Sequence, residues 1–176
     1  MQLSSHILVI GGTAGLSAAL AAPALAADPA TMDVTITIPR MTVAEYHRPY
    51  VAIWVEKAGA PAKTVAVWYD HDMKGNEGTK WLRDVRQWWR VSGRTLKFPA
   101  NGITGATRAP GAHKISFSRA QLGATAPGQY TLVVEASREV GGRELVRIPF
   151  TWPGKAGAGG RAAGTTELGA VSVAFR

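Results

Sequence analysis

The sequence predicts an all-β fold, a β-sandwich of short strands, with one amphipathic helix inserted over about residues 79–91. Three observations carry that expectation. Seven short segments are rich in β-branched and aromatic residues and alternate apolar with polar positions; Gly- and Pro-containing connections separate them; and a single stretch switches to the helical period. At 176 residues and 46% hydrophobic, with 18% charged, the chain has the composition of one globular domain with a core, neither disordered nor fibrous.

The N-terminal stretch MQLSSHILVIGGTAGLSAALAAPALAADPA stands apart from that domain. An apolar run from Ile7 to about Leu20 is followed by small residues, with Ala24 and Ala26 at the spacing a signal peptidase reads. A secretory signal peptide over 1–26, cleaved after Ala26, is therefore expected, leaving 27–176 as a single exported domain in the periplasm. No Lys or Arg precedes the run, so only the amino terminus and His6 supply its positive end. An uncleaved membrane anchor is the competing reading, but the run is Gly/Ala-rich and short for a span.

The strands follow in order. DVTITIP (33–39) alternates strictly, and YVAIWVEK (50–57) and KTVAVWYD (63–70) read as a hairpin joined by AGAPA. AHKISFS (112–118), GQYTLVVEASRE (128–139), RELVRIPFTW (143–152) and LGAVSVAF (168–175) complete the set, with VGG (140–142) forming a tight hairpin turn. APGQYTLVVEA places a Pro-Gly turn before an alternating strand with an early Tyr, which resembles the penultimate strands of fibronectin type III and related immunoglobulin-like domains. That resemblance implies an immunoglobulin/fibronectin III-like β-sandwich in which Tyr130 is structural, its hydroxyl bonding back to the preceding corner.

In GTKWLRDVRQWWRVSG (78–93), Trp81, Leu82, Val85, Trp88 and Trp89 fall on one helical face, with Lys80, Arg83, Asp84, Arg86, Gln87 and Arg90 opposite. Thr79 is expected to cap the helix and Gly93 to end it. The favoured role is to seal an open end of the sandwich with indoles; the other is an aromatic platform for a ligand. The connection 153–167 is Gly- and Ala-rich and long, and is expected to be a mobile loop.

Charge and motif searches narrow the function. All charge lies outside residues 1–26, and 20 Lys and Arg less 12 Asp and Glu leave +8, a surface suited to phosphate groups, acidic proteins or an anionic membrane, or equally one whose charge serves only solubility. No nucleic-acid partner is expected. There is no cysteine, which excludes disulfides and thiolate metal sites. DHDMKGNEGTKW begins like a calcium loop with Asp70, Asp72 and Gly75, but Lys74 and Trp81 stand where oxygen ligands belong. His47, His71 and His113 have no metal-site spacing, there is no GxSxG, and the Gly-rich tail lacks the lysine of a phosphate loop. No hydrolase, metal or catalytic set is expected.

One short stretch, NGITGAT (101–107), resembles the sequence that periplasmic flavin transferases recognise: Asp, two residues, Ser or Thr, then Gly-Ala and Ser or Thr. In proteins that carry it, FMN is joined by a phosphoester to the final hydroxyl. The resemblance implies Thr107 as acceptor, with Thr104, Gly105 and Ala106 completing the motif and Asn101 standing where the pattern has Asp. An acceptor belongs on an exposed loop without bulky neighbours, and Arg108 beside it is placed to balance a phosphate diester. The alternative is a turn in which Thr104 and Thr107 bond only to backbone.

YVAIWVEKAGAPAKTVAVW, KWLRDVRQWWR, ITGATRAPGAH and GQYTLVVEASREVGGRELVRIPF, in that order, resemble the predicted periplasmic proteins called domain of unknown function 2271, over most of 32–152. That family's association with flavin transferases and PepSY-type membrane proteins implies a flavin-carrying module that passes electrons from a membrane reductase to a periplasmic acceptor. Trp81, Trp88 or Trp89 would stack on the ring, and Arg86, Arg90 and Arg108 would tune it. The alternative is a cofactor-free binding or scaffold module docking a membrane partner or anionic envelope component through its basic, Trp-rich face. In either case an electron carrier or binding module is expected rather than an enzyme with its own substrate.

Overall fold

Strict alternation along a strand buries one face and leaves the other free, and two such sheets close over each other. The computed structural model, which describes residues 31–124 and 126–176, has this arrangement. The signal-peptide segment 1–26 lies outside the described residues. Among the described residues the strands are β1 (Thr31–Ile38), β2 (Tyr50–Glu56), β3 (Lys63–Trp68), β4 (Thr104–Gly105), β5 (Gly111–Ser118), β6 (Gly128–Ser137), β7 (Arg143–Trp152), β8 (Gly159–Ala163) and β9 (Ala170–Phe175). They form a four-stranded sheet in the order β5-β1-β9-β8 and a five-stranded sheet in the order β4-β3-β2-β6-β7. The fold is an all-β sandwich, and each of the seven expected strands is present within a few residues of its predicted bounds.

Between the sheets lies one core. β1 contributes Met32, Val34, Ile36 and Ile38, and β9 contributes Val171, Val173 and Phe175; facing them are Val51, Ile53 and Val55 of β2 and Leu132, Val134 and Ala136 of β6. The β2–β3 hairpin is antiparallel as expected, with a register shift at Ile53/Trp54. The β6–β7 hairpin turns through Val140, with the Arg138 amide bonded to Gly142 O at 3.0 Å. Tyr130 takes the predicted structural role, its hydroxyl donating to Ala126 O at 2.6 Å.

Two regions differ from expectation. The helical stretch is not one helix over 79–91 but a 3-10 segment, Lys74–Asp84, broken at Val85 and followed by a short α-helix, α1 (Arg86–Val91). Thr79 does not cap it: its hydroxyl donates to Asn76 O inside the 3-10 segment. Gly93 opens a further 3-10 turn, Gly93–Thr95. Nor does this layer seal an open end of the sandwich. It covers the outer face of the five-stranded sheet, where Leu82, Val85 and Trp88 pack on Tyr50, Ala52, Trp54, Val67, Tyr69 and Val133. β2 is consequently buried on both faces, and this second layer is what the indoles serve.

The second difference is the connection 153–167, expected as a mobile loop. It carries β8, paired antiparallel with β9 from Gly159↔Ala174 to Ala163↔Ala170. Its far end is fixed by Glu144, whose carboxylate accepts the Thr165, Thr166 and Leu168 amides at 2.6, 3.0 and 2.9 Å. Small residues here allow a strand to lie close on its neighbour, a requirement that composition alone reads as looseness.

Candidate functional site

The 100–111 stretch lies along the open edge of β3. A turn at Ala100, closed by the Thr104 amide donating to Ala100 O at 3.1 Å, leads into β4, which pairs in parallel with Val67 and Trp68. The Thr104 hydroxyl accepts the Ala100 amide at 2.8 Å, and Gly105 lies on the Trp68 indole, where a Cβ would approach Cδ1 to 3.1 Å. Asn101 is exposed in the turn and Ala106 is exposed beyond the strand. Arg108 stacks its guanidinium 5.3 Å from the Trp68 ring centroid, a cation–π contact.

Thr107 departs from the exposed loop expected of an acceptor. It is 8% exposed, and its hydroxyl donates to Asp70 Oδ1 at 2.9 Å. Asp70, at the end of the β3 segment, stood out in the sequence only as the start of an incomplete calcium loop. Among the described residues no three His, Asp or Glu side chains gather as a metal site. The histidines are locally bonded: His47 to Glu45, His71 to Asp72, both at 2.8 Å, and His113 Nε2 to Ala109 O at 2.7 Å.

Thr107 and Asp70 form part of the wall of a cleft of about 980 Å³. Its other walls are the approach to β2 (Tyr46, His47, Arg48, Tyr50), the helical layer (Met73, Trp81, Asp84, Arg86) and the β6–β7 turn from Ser137 to Arg143. Burial pushes the Tyr50 hydroxyl up to about 12, assisted by the nearby Asp70 charge. The expected ring-stacking indoles separate here. Trp88 is fully buried with its Nε1 donating to Thr64 at 2.9 Å, Trp89 is half-buried against it, and only Trp81, 37% exposed, faces the cleft. Of the expected basic residues Arg86 lines the cleft, while Arg90 donates to Gln87 at 2.7 Å and Arg108 stays on Trp68.

Two buried carboxylates hold the cleft in shape. Glu135, with no exposed surface, accepts the Gln87 and Trp88 amides of α1 at 3.0 and 2.7 Å and Arg143 at 2.7 Å. Glu167 accepts Arg138 Nε and Nη2 at 2.9 and 3.1 Å and the Gly142 amide at 2.7 Å. Sequence reasoning missed both, because partners 47 and 29 residues apart leave no local signal.

Residues 31–170 match the family model described as predicted periplasmic protein, domain of unknown function 2271. The chain belongs to this family. The match covers every strand from β1 to β8 and takes in the cleft, so in this domain of unknown function 2271 protein the site is part of the family's own domain. No curated protein and no solved structure matches the chain.

Proposed function

We propose that this protein is an exported, immunoglobulin-like periplasmic module that carries FMN esterified to Thr107 and passes electrons between a PepSY-type membrane reductase and a periplasmic acceptor. The observation that carries the reading is the position of Thr107: the threonine that ends the transferase-like sequence borders a cleft of about 980 Å³. The residues there suit the group, with an exposed indole (Trp81), the guanidiniums of Arg48 and Arg86, and a volume at the upper end of the range for small-molecule sites. The family's description as predicted periplasmic and the apolar N-terminal run support export to the periplasm after loss of residues 1–26. The Tyr130 to Ala126 bond supports the immunoglobulin/fibronectin III-like reading of the sandwich.

Bound FMN supplies the redox chemistry of its isoalloxazine, which the protein tethers and surrounds with charge. The chain's own part begins with Thr107, whose Oγ–H must leave Asp70 before Oγ can attack the phosphorus of the flavin donor held by the transferase; the hydroxyl proton departs and the donor's P–O bond to its leaving group breaks as the new P–O bond forms. Once esterified, Oγ can no longer donate, so the Asp70 carboxylate loses that hydrogen bond and faces a second anion. Asp70 therefore opposes the modified state, and Arg86 and Arg48 offset it.

The test is co-expression with a periplasmic flavin transferase, followed by intact mass and in-gel flavin fluorescence. A product heavier by one FMN less water, abolished in Thr107→Ala, is expected. An unmodified mass under conditions that flavinylate a control protein would refute it. The cofactor-free docking module would then lead, supported by the buried, already bonded Thr107 hydroxyl and the exposed Arg83, Arg86 and Arg90 of the helical layer.

A further inference from the structure

Two residues that line the cleft carry buried donors with no partner among the described residues. Arg138 has a side chain 7% exposed; Glu167 takes its Nε and Nη2, while Nη1 has no partner among the described residues. The Tyr46 hydroxyl, also on the cleft wall, has none either. A buried donor left unpaired costs about 1–3 kcal/mol, more when it is charged, so native structures keep few of them. Of the three buried unpartnered side-chain atoms among the described residues, two belong to residues that line this cleft.

The turn that covers Arg138 is itself strained. Val140, β-branched and 74% exposed, sits at φ 52°, in the left-handed region that such residues avoid. Gly141 lies flat on the guanidinium, where a Cβ would come within 2.4 Å of Arg138 Cζ. Strain of this kind persists where the surrounding structure imposes it, and it gathers at ligand sites.

We infer that the cleft is a binding site for an oxyanion carried on a ligand with an aromatic or apolar body, with Arg138 Nη1 and the Tyr46 hydroxyl as its donors. An oxyanion group suits such donors, through charge-assisted hydrogen bonds. Burial holds the Tyr46 hydroxyl above its ordinary pKa, against the pull of Arg138, so it remains a donor at neutral pH. Two of the acidic groups of the cleft are occupied, Asp70 by Thr107 and Glu139 by His47 at 3.6 Å, and Asp84 lines it together with Arg48 and Arg86.

The body of the ligand is read from the rim. Met73, Trp81 and Val140 are three of the five exposed large hydrophobic residues among the described ones, and all three line this cleft. A bare inorganic anion would leave that rim unused. The site needs no modification of Thr107, so it stands or falls apart from the flavin reading.

The test uses the unmodified chain, expressed without any flavin transferase, and calorimetric titration near physiological salt with phenyl phosphate, benzoate, inorganic phosphate and phenol. Phenyl phosphate or benzoate is expected to bind at least tenfold more tightly than phenol and than inorganic phosphate, and the comparison between the first two identifies the head group. Tyr46→Phe should weaken that binding about tenfold, the loss of one hydrogen bond to a charged group. Arg138→Lys, which keeps a cation for Glu167 but removes Nη1, should weaken it at least as much. Trp81→Ala should weaken phenyl phosphate and leave inorganic phosphate unchanged. If Arg138→Lys does not fold, Tyr46→Phe decides alone. Absence of binding to the wild-type chain at millimolar ligand, or equal affinity in Tyr46→Phe, would overturn the site.

Discussion

Replacing Glu135 by Ala should unseat the helical layer from the sheet. The carboxylate is fully buried and accepts three hydrogen bonds, from the Gln87 amide, the Trp88 amide and Arg143. Truncation leaves the Trp88 amide buried without a partner, at about 1–3 kcal/mol. It also removes one half of a partly buried ion pair, for which about 3–5 kcal/mol applies when both partners are enclosed. The Arg143 side chain is 40% exposed and regains water, so the lower part of these ranges applies, about 3–4 kcal/mol in all. At roughly 2–4 °C per kcal/mol for a chain of this size, the melting temperature should fall by about 10 °C. Urea unfolding followed by tryptophan fluorescence measures it, because Trp88 sits on the lost contact. Glu135→Gln, which keeps one acceptor oxygen, should fall between the wild type and Glu135→Ala. A loss below about 1 kcal/mol in Glu135→Ala would refute the reasoning, since it would mean that α1 stays seated on the sheet without its anchor.

Three further outcomes are expected. The Asp33 carboxyl is held well below its ordinary 3.8 by hydrogen bonds from Arg176, Lys114 and Ser116, and Glu144 is held at about 2 from 4.5 because, despite burial, the Thr165, Leu168 and Thr166 amides favour its charged form. Both folded-state values are depressed, so their stabilisation is present above the unfolded values and is lost as pH falls from about 5 toward 2; the urea midpoint should drop over that window, and less steeply in Asp33→Asn. Gly93→Ala should destabilise by about 1–3 kcal/mol, because its Cβ would come within 2.9 Å of three Trp88 ring atoms, and near-ultraviolet circular dichroism should register the displaced indole. Val140→Gly should stabilise by about 1 kcal/mol by relieving the left-handed valine, an effect a thermal melt resolves and whose absence would remove the case for strain in that turn.

The strands were legible because period-2 alternation is a local property. RELVRIPFTW exposes much of one face and buries the other, DVTITIP buries its apolar positions with Thr35 and Thr37 half-buried between them, and both became strands at the expected places. β2 was read correctly as a strand but incompletely: Ala52 and Trp54 are buried as fully as the core positions beside them and Tyr50 nearly so, and nothing local reveals what covers them. The helical stretch was misread in shape for a related reason. Its apolar positions fit one helical face, yet Gly75 and Asn76 adopt left-handed backbone, Val85 breaks the run, and the segment follows the outer surface of the sheet.

The candidate site divides in the same way. Thr104, Gly105, Ala106 and Thr107 are neighbours in the chain, so a linear motif brings them forward. That Thr107 is buried and bonded to Asp70, 37 residues away, depends on β4 pairing with β3. Tyr46, Arg138 and Glu167 carry no motif at all. They meet because the β6–β7 turn, the approach to β2 and the segment before β9 converge at one side of the sandwich.

By itself, then, the sequence determined the all-β class, the seven principal strands, the hairpin turns and membership of a predicted periplasmic family, because alternation, turn chemistry and linear similarity are written in adjacent residues. Only the tertiary structure decided that the tryptophan-rich stretch covers a sheet face, that the Gly/Ala-rich connection is a strand, and that a cationic, apolar-rimmed cleft opens beside Thr107. Those outcomes depend on which distant surfaces are buried against each other, a global balance that no local pattern encodes.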